Sequence, residues 1–170
     1  MVTGYTIRRA KQYEAGYIRE MAERFHAESG EPRAFAATRV LECARLSVND
    51  GLAFLAVSGD LIFGYSMGLI GPAIYVERLD GADFGIYVDP EWRRKEPTAG
   101  VALLKSLEVA IFAAGADRFV VGAESGMRTR ALGRLYQRQG YVEGHGTWYR
   151  DLQAPDRGPT VPPTPGGNSG

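Results

Sequence analysis

The sequence predicts a mixed α+β fold, in which a twisted sheet packs against helices. The first observation is the order of periodic segments along the chain, which reads β-α-α-β-β-β-α-β-α-β-β. The second is an amphipathic helix between two β-rich runs, because strands joined by such a crossover lie parallel in one sheet. The third is the length of 170 residues, which suits one domain with a sizeable core.

The first third of the chain is predicted to form one strand and two helices. The strand covers Thr6–Ala10. A helix follows over Tyr13–Glu28, and its apolar face consists of Tyr17, Ile18, Met21 and Phe25. The run Ser29-Gly30-Glu31-Pro32 ends this helix, because glycine and proline interrupt helical structure. A second helix is expected over Phe35–Leu46.

The middle of the chain is predicted to supply three strands. Leu52–Val57 and Leu61–Ile70 flank the turn Ser58-Gly59-Asp60, which is the pattern of a β-hairpin. Residues 73–76 are either an extra short strand or a loop. The apolar run Phe84–Val88 is the next strand, and Asp89-Pro90 ends it.

The crossover helix is predicted to begin at Thr98-Ala99-Gly100 and to end at Gly115. Its apolar positions share one stripe, as expected for a helix that packs on a sheet. They are Gly100, Leu103, Leu104, Leu107, Ile111 and Ala114.

A basic run, Arg93, Arg94 and Lys95, precedes this helix. Free backbone N–H groups and positive charge at a helix start form a site for a phosphate ester. The alternative interpretation is a solvated basic turn. Pro97 lacks an N–H group and Glu96 adds a negative charge where phosphates would lie.

The last part of the domain is predicted to hold a strand, a helix and a closing hairpin. The strand is Phe119–Ala123, and the helix contains Tyr136. The hairpin joins Tyr141–Gly146 to Trp148–Leu152. Trp148 and its neighbour Tyr149 are interpreted as exposed on the last strand, which offers a surface for a second copy and thus for a homodimer.

The end of the chain changes composition to proline, glycine, threonine, asparagine and serine. Such a segment cannot bury enough apolar surface to order itself. Residues 153–170 are therefore predicted to form a disordered tail, and residues 1–152 form the domain.

The composition argues against several classes of function. The formal net charge is zero and the basic residues are scattered, so we expect no nucleic-acid partner. The sequence has neither an apolar signal region nor a run of membrane-spanning length, so we expect no membrane association and a cytoplasmic location. His26 and His145 lack flanking ligands, so no metal site is expected. Cys43 is the single cysteine, which excludes an internal disulfide.

Two blocks of the sequence carry a resemblance to a known family. In the first, Tyr87-Val88-Asp89-Pro90 ends a strand and Leu103-Leu104 follows in the next helix. The second is Ala131-x-x-x-Leu135-Tyr136-x-x-x-Gly140-Tyr141. In order and spacing they resemble the GNAT superfamily of acyl-CoA-dependent N-acyltransferases, over roughly residues 5–152. His26-x-Glu28-Ser29 is also similar to a short cluster in GNAT-like proteins of bacteriophages.

The resemblance implies a three-layer α/β/α domain. Its central mixed sheet has a parallel strand pair that splays apart, and about four helices cover it. Acetyl-CoA, as co-substrate, would lie between Phe84–Val88 and Phe119–Ala123 and pair with the main chain of the first strand. The implied cofactor residues are Ile86, Tyr87, Val88, Arg93, Arg94, Lys95, Thr98, Ala99 and Gly100.

The phosphate loop departs from the family pattern. About two more residues lie between Pro90 and the Leu pair than in the common pattern. The loop therefore has two registers, Lys95-x-x-Thr98-x-Gly100 or Arg94-x-x-Pro97-x-Ala99, and neither carries both glycines of the family.

The resemblance also implies the reaction, which is acetyl transfer to a primary amine of a small molecule or protein. Tyr136 matches the residue that protonates the departing thiolate in many family members. The implied candidates for the base are Glu124 and Glu28. The alternative hypothesis is a catalytically inactive GNAT-shaped binding or structural module of the kind that phages encode, and the unusual loop favours it.

Overall fold

The computed structural model of the protein describes residues 4–122, 129–144 and 147–151. Its helices are α1 (Ala15–Ser29, after a 3-10 turn at Gln12–Glu14), α2 (Ala37–Asn49), α3 (Pro90–Lys95), α4 (Ala99–Ala113) and α5 (Thr129–Arg138). Its strands are β1 (Thr6–Arg9), β2 (Ala53–Ser58), β3 (Leu61–Pro72), β4 (Leu79–Val88), β5 (Arg118–Gly122), β6 (Val142–Gly144) and β7 (Thr147–Asp151).

The strands of the described residues form one seven-stranded sheet in the order β1-β2-β3-β4-β5-β7-β6. β4 and β5 are parallel, joined by the crossover through α4, and the other neighbours are antiparallel. The predicted mixed sheet with a parallel central pair is therefore confirmed.

Two apolar cores make the structure three layers thick. On one face, Ile18 and Met21 of α1 and Ala44 of α2 pack against the sheet. On the other face, the large residues of the predicted α4 stripe are buried, and Leu103, Leu104, Leu107 and Ile111 lie at 2% exposure or less. Ala114, the last residue of that stripe, is exposed and follows the end of α4. Tyr17, in contrast, is half exposed although the helical pattern placed it on the buried face.

The basic run Arg93, Arg94 and Lys95, for which one interpretation was a solvated turn, lies in a short helix, α3. Pro90 begins it at a position where the missing N–H costs nothing. Glu91 and Lys95 form an i,i+4 pair at 2.5 Å. Trp92 anchors the helix by stacking on Phe63, with ring centroids 4.2 Å apart. Asp89-Pro90 therefore ends β4 at Val88 as predicted, and a short helix follows from Pro90.

The structure settles one alternative that the sequence left open and corrects two predictions, the start of β4 and the exposure of Trp148. Residues 73–76 form a loop, closed by a hydrogen bond from the Ala73 N–H to the Arg78 carbonyl oxygen, and β4 begins at Leu79. The prediction that Trp148 is exposed was wrong, because its side chain is only 8% exposed. It packs on Tyr136 and lies against Gly133, which has no side chain to displace it. Trp148 therefore offers no surface for a dimer.

Some predictions fall on residues outside the described ranges. They concern Glu124, His145 and the tail 153–170. No helix in the described part of the chain is both long and apolar enough to cross a bilayer.

Candidate active site

A cleft opens where β4 and β5 part. Their backbones pair from Asp80 to Ala82 on β4 and from Arg118 to Val120 on β5. Beyond these pairs β4 carries a β-bulge, because Met67 pairs with Gly85 and Gly68 with Asp83, which leaves Phe84 as an extra residue. A bulge bends its strand and increases the local twist. The second half of β4 consequently leaves its parallel neighbour.

Gly85 makes this bulge sterically feasible. Its φ is +150°, which residues with side chains rarely adopt. A Cβ atom at this position would also lie 2.9 Å from the Tyr65 hydroxyl oxygen. A glycine inside a strand pattern is a known signal for a bulge, so this feature could have been predicted from the sequence.

The cleft has a volume of about 880 Å³, a size typical of small-molecule sites. The second half of β4 forms one wall. The last turn of α1, Arg93 of α3, the start of α4, the end of β5 at Gly122 and the inner face of α5 complete the lining. The cleft therefore brings together predicted site residues from five separate segments, namely Glu28, Ile86, Tyr87, Val88, Arg93, Gly100 and Tyr136.

The start of α4 lies at one end of the cleft. The Ala99 N–H donates to the Glu96 carbonyl oxygen, whereas the amides of Gly100 and Val101 have no acceptor within the helix. A Cβ on Gly100 would meet no atom within 4 Å, so the space in front of it is open. The positive end of the helix dipole therefore faces a cavity that could admit an anion.

Tyr136 lies deeper in the cleft, on α5. Its ring is 5% exposed and packs against Tyr141 and Trp148. Its hydroxyl donates to the Gly122 carbonyl oxygen at 3.1 Å. Burial raises the pKa of Tyr136 above its usual range, and the negative charge of Asp83 raises it further. The hydroxyl is therefore a proton-bearing group at neutral pH.

Glu28 belongs to a cluster on the α1 side of the cleft. One of its carboxylate oxygens accepts from the Tyr87 hydroxyl at 2.7 Å, and the other lies 2.9 Å from an Arg93 guanidinium nitrogen. The Arg93 Nε–H also donates to the Val88 carbonyl oxygen at 2.6 Å, and its guanidinium covers the Tyr87 ring. Burial, followed by the Glu28 hydrogen bond, raises the pKa of Tyr87.

Solved acetyltransferases share this fold. A GNAT-family acetyltransferase from Brucella melitensis, in complex with acetyl-CoA, aligns with a TM-score of 0.64 at 17% identity and covers 94% of this chain and 92% of that chain. An acetyltransferase of the GNAT family from Staphylococcus aureus Mu50 aligns with a TM-score of 0.68 at 15% identity, over 88% and 100%. A chain of the NatC complex bound to Gag peptide and CoA aligns with a TM-score of 0.68 at 16% identity, and the alignment covers 89% of this chain and 100% of that chain. The chain has the GNAT fold. Its sequence matches no family model and no curated protein.

Within this GNAT fold, the residues predicted to bind phosphate occupy different environments. Arg93 lines the cleft but is held by Glu28, and Lys95 pairs with Glu91 and covers the Trp92 ring. Arg94 is exposed and does not line the cleft. The Thr98 hydroxyl shares a hydrogen bond with Tyr5, and Ala99 is buried. The open backbone at Gly100, rather than the basic side chains, is therefore the feature best placed to receive a phosphate.

Two features of the site in this GNAT fold were missed by the sequence predictions. The Glu28–Tyr87–Arg93 cluster joins residues as many as 65 positions apart, and no local sequence pattern predicts such a contact. Asp83 lies where the strands part, and its Oδ1 accepts the Gly122 N–H at 2.9 Å. The local signal for it is an acidic residue two positions before the strand glycine Gly85.

Glu96 places a negative charge in the lining of the cleft, beside Gly100. We expect Glu96→Gln to bind acetyl-CoA roughly three- to tenfold more tightly, because a carboxylate near the helix start repels the phosphates. Calorimetric titration measures the change. Glu91→Gln is the matched control, since Glu91 lies outside the cleft lining and pairs with Lys95. Equal affinities in wild type and Glu96→Gln would place the Glu96 carboxylate away from the phosphates.

Proposed function

We propose that this chain is an acetyl-CoA-dependent N-acetyltransferase that transfers the acetyl group to a primary amine by direct attack in a ternary complex. The observation that carries the proposal is the arrangement of the cleft between β4 and β5. Its one end offers the open start of α4 at Gly100, and its interior offers the buried Tyr136 hydroxyl.

The residues of the cleft fit the co-substrate. Ile86, Tyr87 and Val88 belong to the part of β4 that has left β5, so their backbone groups on that side can pair with an extended pantetheine arm. The amides at the start of α4 suit a pyrophosphate. The Brucella melitensis neighbour is in complex with acetyl-CoA and the NatC neighbour is bound to CoA, which supports the same ligand here.

Acetyl-CoA would supply a thioester, whose carbonyl carbon forms a C–N bond with the amine while its C–S bond breaks. The amine loses one proton and the departing sulfur gains one. Tyr136 is proposed to stabilise that sulfur by donating its hydroxyl proton, which requires the hydroxyl to leave the Gly122 carbonyl oxygen. The sulfur takes up this proton, and the Tyr136 phenolate regains one from the solvent that receives the proton of the amine.

The amine must be deprotonated before it attacks, because a primary amine is mostly protonated near neutral pH. Glu28 lines the cleft, but both of its oxygens already have donors, Tyr87 and Arg93. This arrangement suits an anchoring residue in the acceptor region better than a free base. Glu124 remains the other proposed base and lies outside the described residues. We propose an acceptor that is a small molecule or a protein amine in the cytoplasm.

Thiol release tests this function directly. Purified protein is incubated with acetyl-CoA and a panel of amines, including polyamines, amino acids, aminoglycosides and peptides, and free CoA thiol is measured. We expect release that requires both the protein and at least one amine. Acetyl-CoA binding with no amine-dependent release would favour the inactive binding module, which the Glu96 carboxylate in the cleft also favours.

A further inference from the structure

Gly122 is held by side chains at both of its backbone polar groups. Its N–H donates to Asp83 Oδ1 at 2.9 Å, and its carbonyl oxygen accepts from the Tyr136 hydroxyl at 3.1 Å. Gly122 is the last residue of β5 and lines the cleft. This last residue of β5 therefore links a carboxylate on β4 to a hydroxyl on α5.

The carboxylate takes the place of a backbone acceptor. The parallel ladder ends with the pair Ala82 and Val120, and a continued ladder would give the Gly122 N–H a carbonyl oxygen of β4. Asp83 lies directly between that last pair and the bulge at Phe84. Its side chain bridges to the Gly122 N–H where the two backbones have parted, so a side chain rather than a backbone pair sets the spacing of the strands at this end of the cleft.

The carbonyl oxygen of Gly122 holds the Tyr136 hydroxyl. Both polar groups belong to one residue, so a displacement of Gly122 that releases its N–H from Asp83 also moves the carbonyl oxygen that accepts from Tyr136. The Tyr136 ring is already confined by Tyr141 and Trp148. The hydroxyl direction is thus the remaining freedom, and the Gly122 carbonyl oxygen keeps the hydroxyl directed into the cleft until it turns to the leaving sulfur.

We propose that Asp83 is a positioning residue, which acts through Gly122 to orient the Tyr136 hydroxyl and to hold β4 and β5 apart. The proposal rests on the proposed acetyl transfer, in which Tyr136 donates to the leaving sulfur. This role requires an oxygen on the side chain at position 83 that accepts from the Gly122 N–H, but it does not require a negative charge.

The test compares Asp83→Asn, which keeps an oxygen for the Gly122 N–H, with Asp83→Ala, which removes it. We expect Asp83→Asn to keep kcat within about threefold and Asp83→Ala to lose roughly tenfold or more. Asp80→Ala is the control on the same strand, because Asp80 pairs with Arg78 and does not line the cleft. If Asp83→Ala melts below the assay temperature, Asp83→Ser replaces it, since its shorter side chain does not reach Gly122.

A double-mutant cycle checks that the effect passes through Tyr136. Tyr136→Phe should cost far less in the Asp83→Ala background than in wild type, because the hydroxyl is no longer oriented. Additive losses would overturn the proposal. The proposal would also be overturned if Asp83→Asn were as slow as Asp83→Ala and had a changed pH–rate profile. That result would identify Asp83 as the base instead.

The exchange rate of the Gly122 amide hydrogen reports on the link without any activity. We expect protection in wild type and in Asp83→Asn, and faster exchange in Asp83→Ala. Unchanged exchange in Asp83→Ala would overturn the proposal. A protected Gly122 amide in a wild-type protein that releases no thiol would instead show that the proposed acetyl transfer had failed.

Discussion

Replacing Tyr136 with phenylalanine is expected to lower turnover by about 10²-fold, the usual scale for a lost general acid. The ring keeps its contacts with Tyr141 and Trp148, and only the hydroxyl is lost. Acetyl-CoA affinity and the melting temperature should therefore change little. Steady-state kinetics with the best amine of the panel, together with thermal unfolding, measure both effects.

Tyr141→Phe is the matched control for this variant. Tyr141 is also a buried tyrosine, but its hydroxyl bonds to Glu108 and it does not line the cleft. We expect it to lose stability while turnover is preserved. A Tyr136→Phe protein that melts several degrees lower and turns over normally would identify Tyr136 as a packing residue, and the proton donor would have to be another group or water.

Replacing Gly100 with aspartate is expected to weaken acetyl-CoA binding by roughly 10²-fold without loss of stability. The position is open, because a Cβ atom there would meet no atom of the protein within 4 Å. An acidic residue in the first turn of a helix is favourable by about 0.3–1 kcal/mol. The same carboxylate would repel the phosphates at the start of α4. Calorimetric titration and thermal unfolding measure affinity and stability.

Gly16→Asp is the matched control for Gly100→Asp. Gly16 is the second residue of α1, as Gly100 is of α4, and its surroundings are equally open. It does not line the cleft, so acetyl-CoA affinity should be that of wild type. Gly100→Asn separates charge from size. If Gly100→Asn weakens binding as much as Gly100→Asp, steric exclusion rather than phosphate repulsion is responsible.

Most of the sheet and the long helices follow from periodicity in the sequence. The four large apolar residues of the predicted α4 stripe, Leu103, Leu104, Leu107 and Ile111, are buried as predicted, because they face one side of the sheet. The crossover through α4 likewise predicts that β4 and β5 are parallel. Both features depend on residues close together in the sequence, where a pattern is informative.

The features that the sequence does not predict depend on contacts between distant residues or on very short segments. α3 is six residues long, too short for a periodic pattern. Trp148 is buried because α5 presents Gly133 to it, and an alternating strand does not show which face a helix will cover. The hydrogen bond between Tyr87 and Glu28 spans 59 residues. The chemistry of the site therefore arises mainly from tertiary contacts.

Calorimetric titration with acetyl-CoA tests the central claim most directly, that the cleft between β4 and β5 is an acetyl-CoA site. We expect one molecule to bind per chain with a sub-millimolar dissociation constant. At a hundred times that constant, bound ligand should stabilise the fold by about 2.7 kcal/mol, which raises the melting temperature by roughly 5–10 °C. Absence of both binding heat and a melting shift in the wild-type protein would contradict the claim.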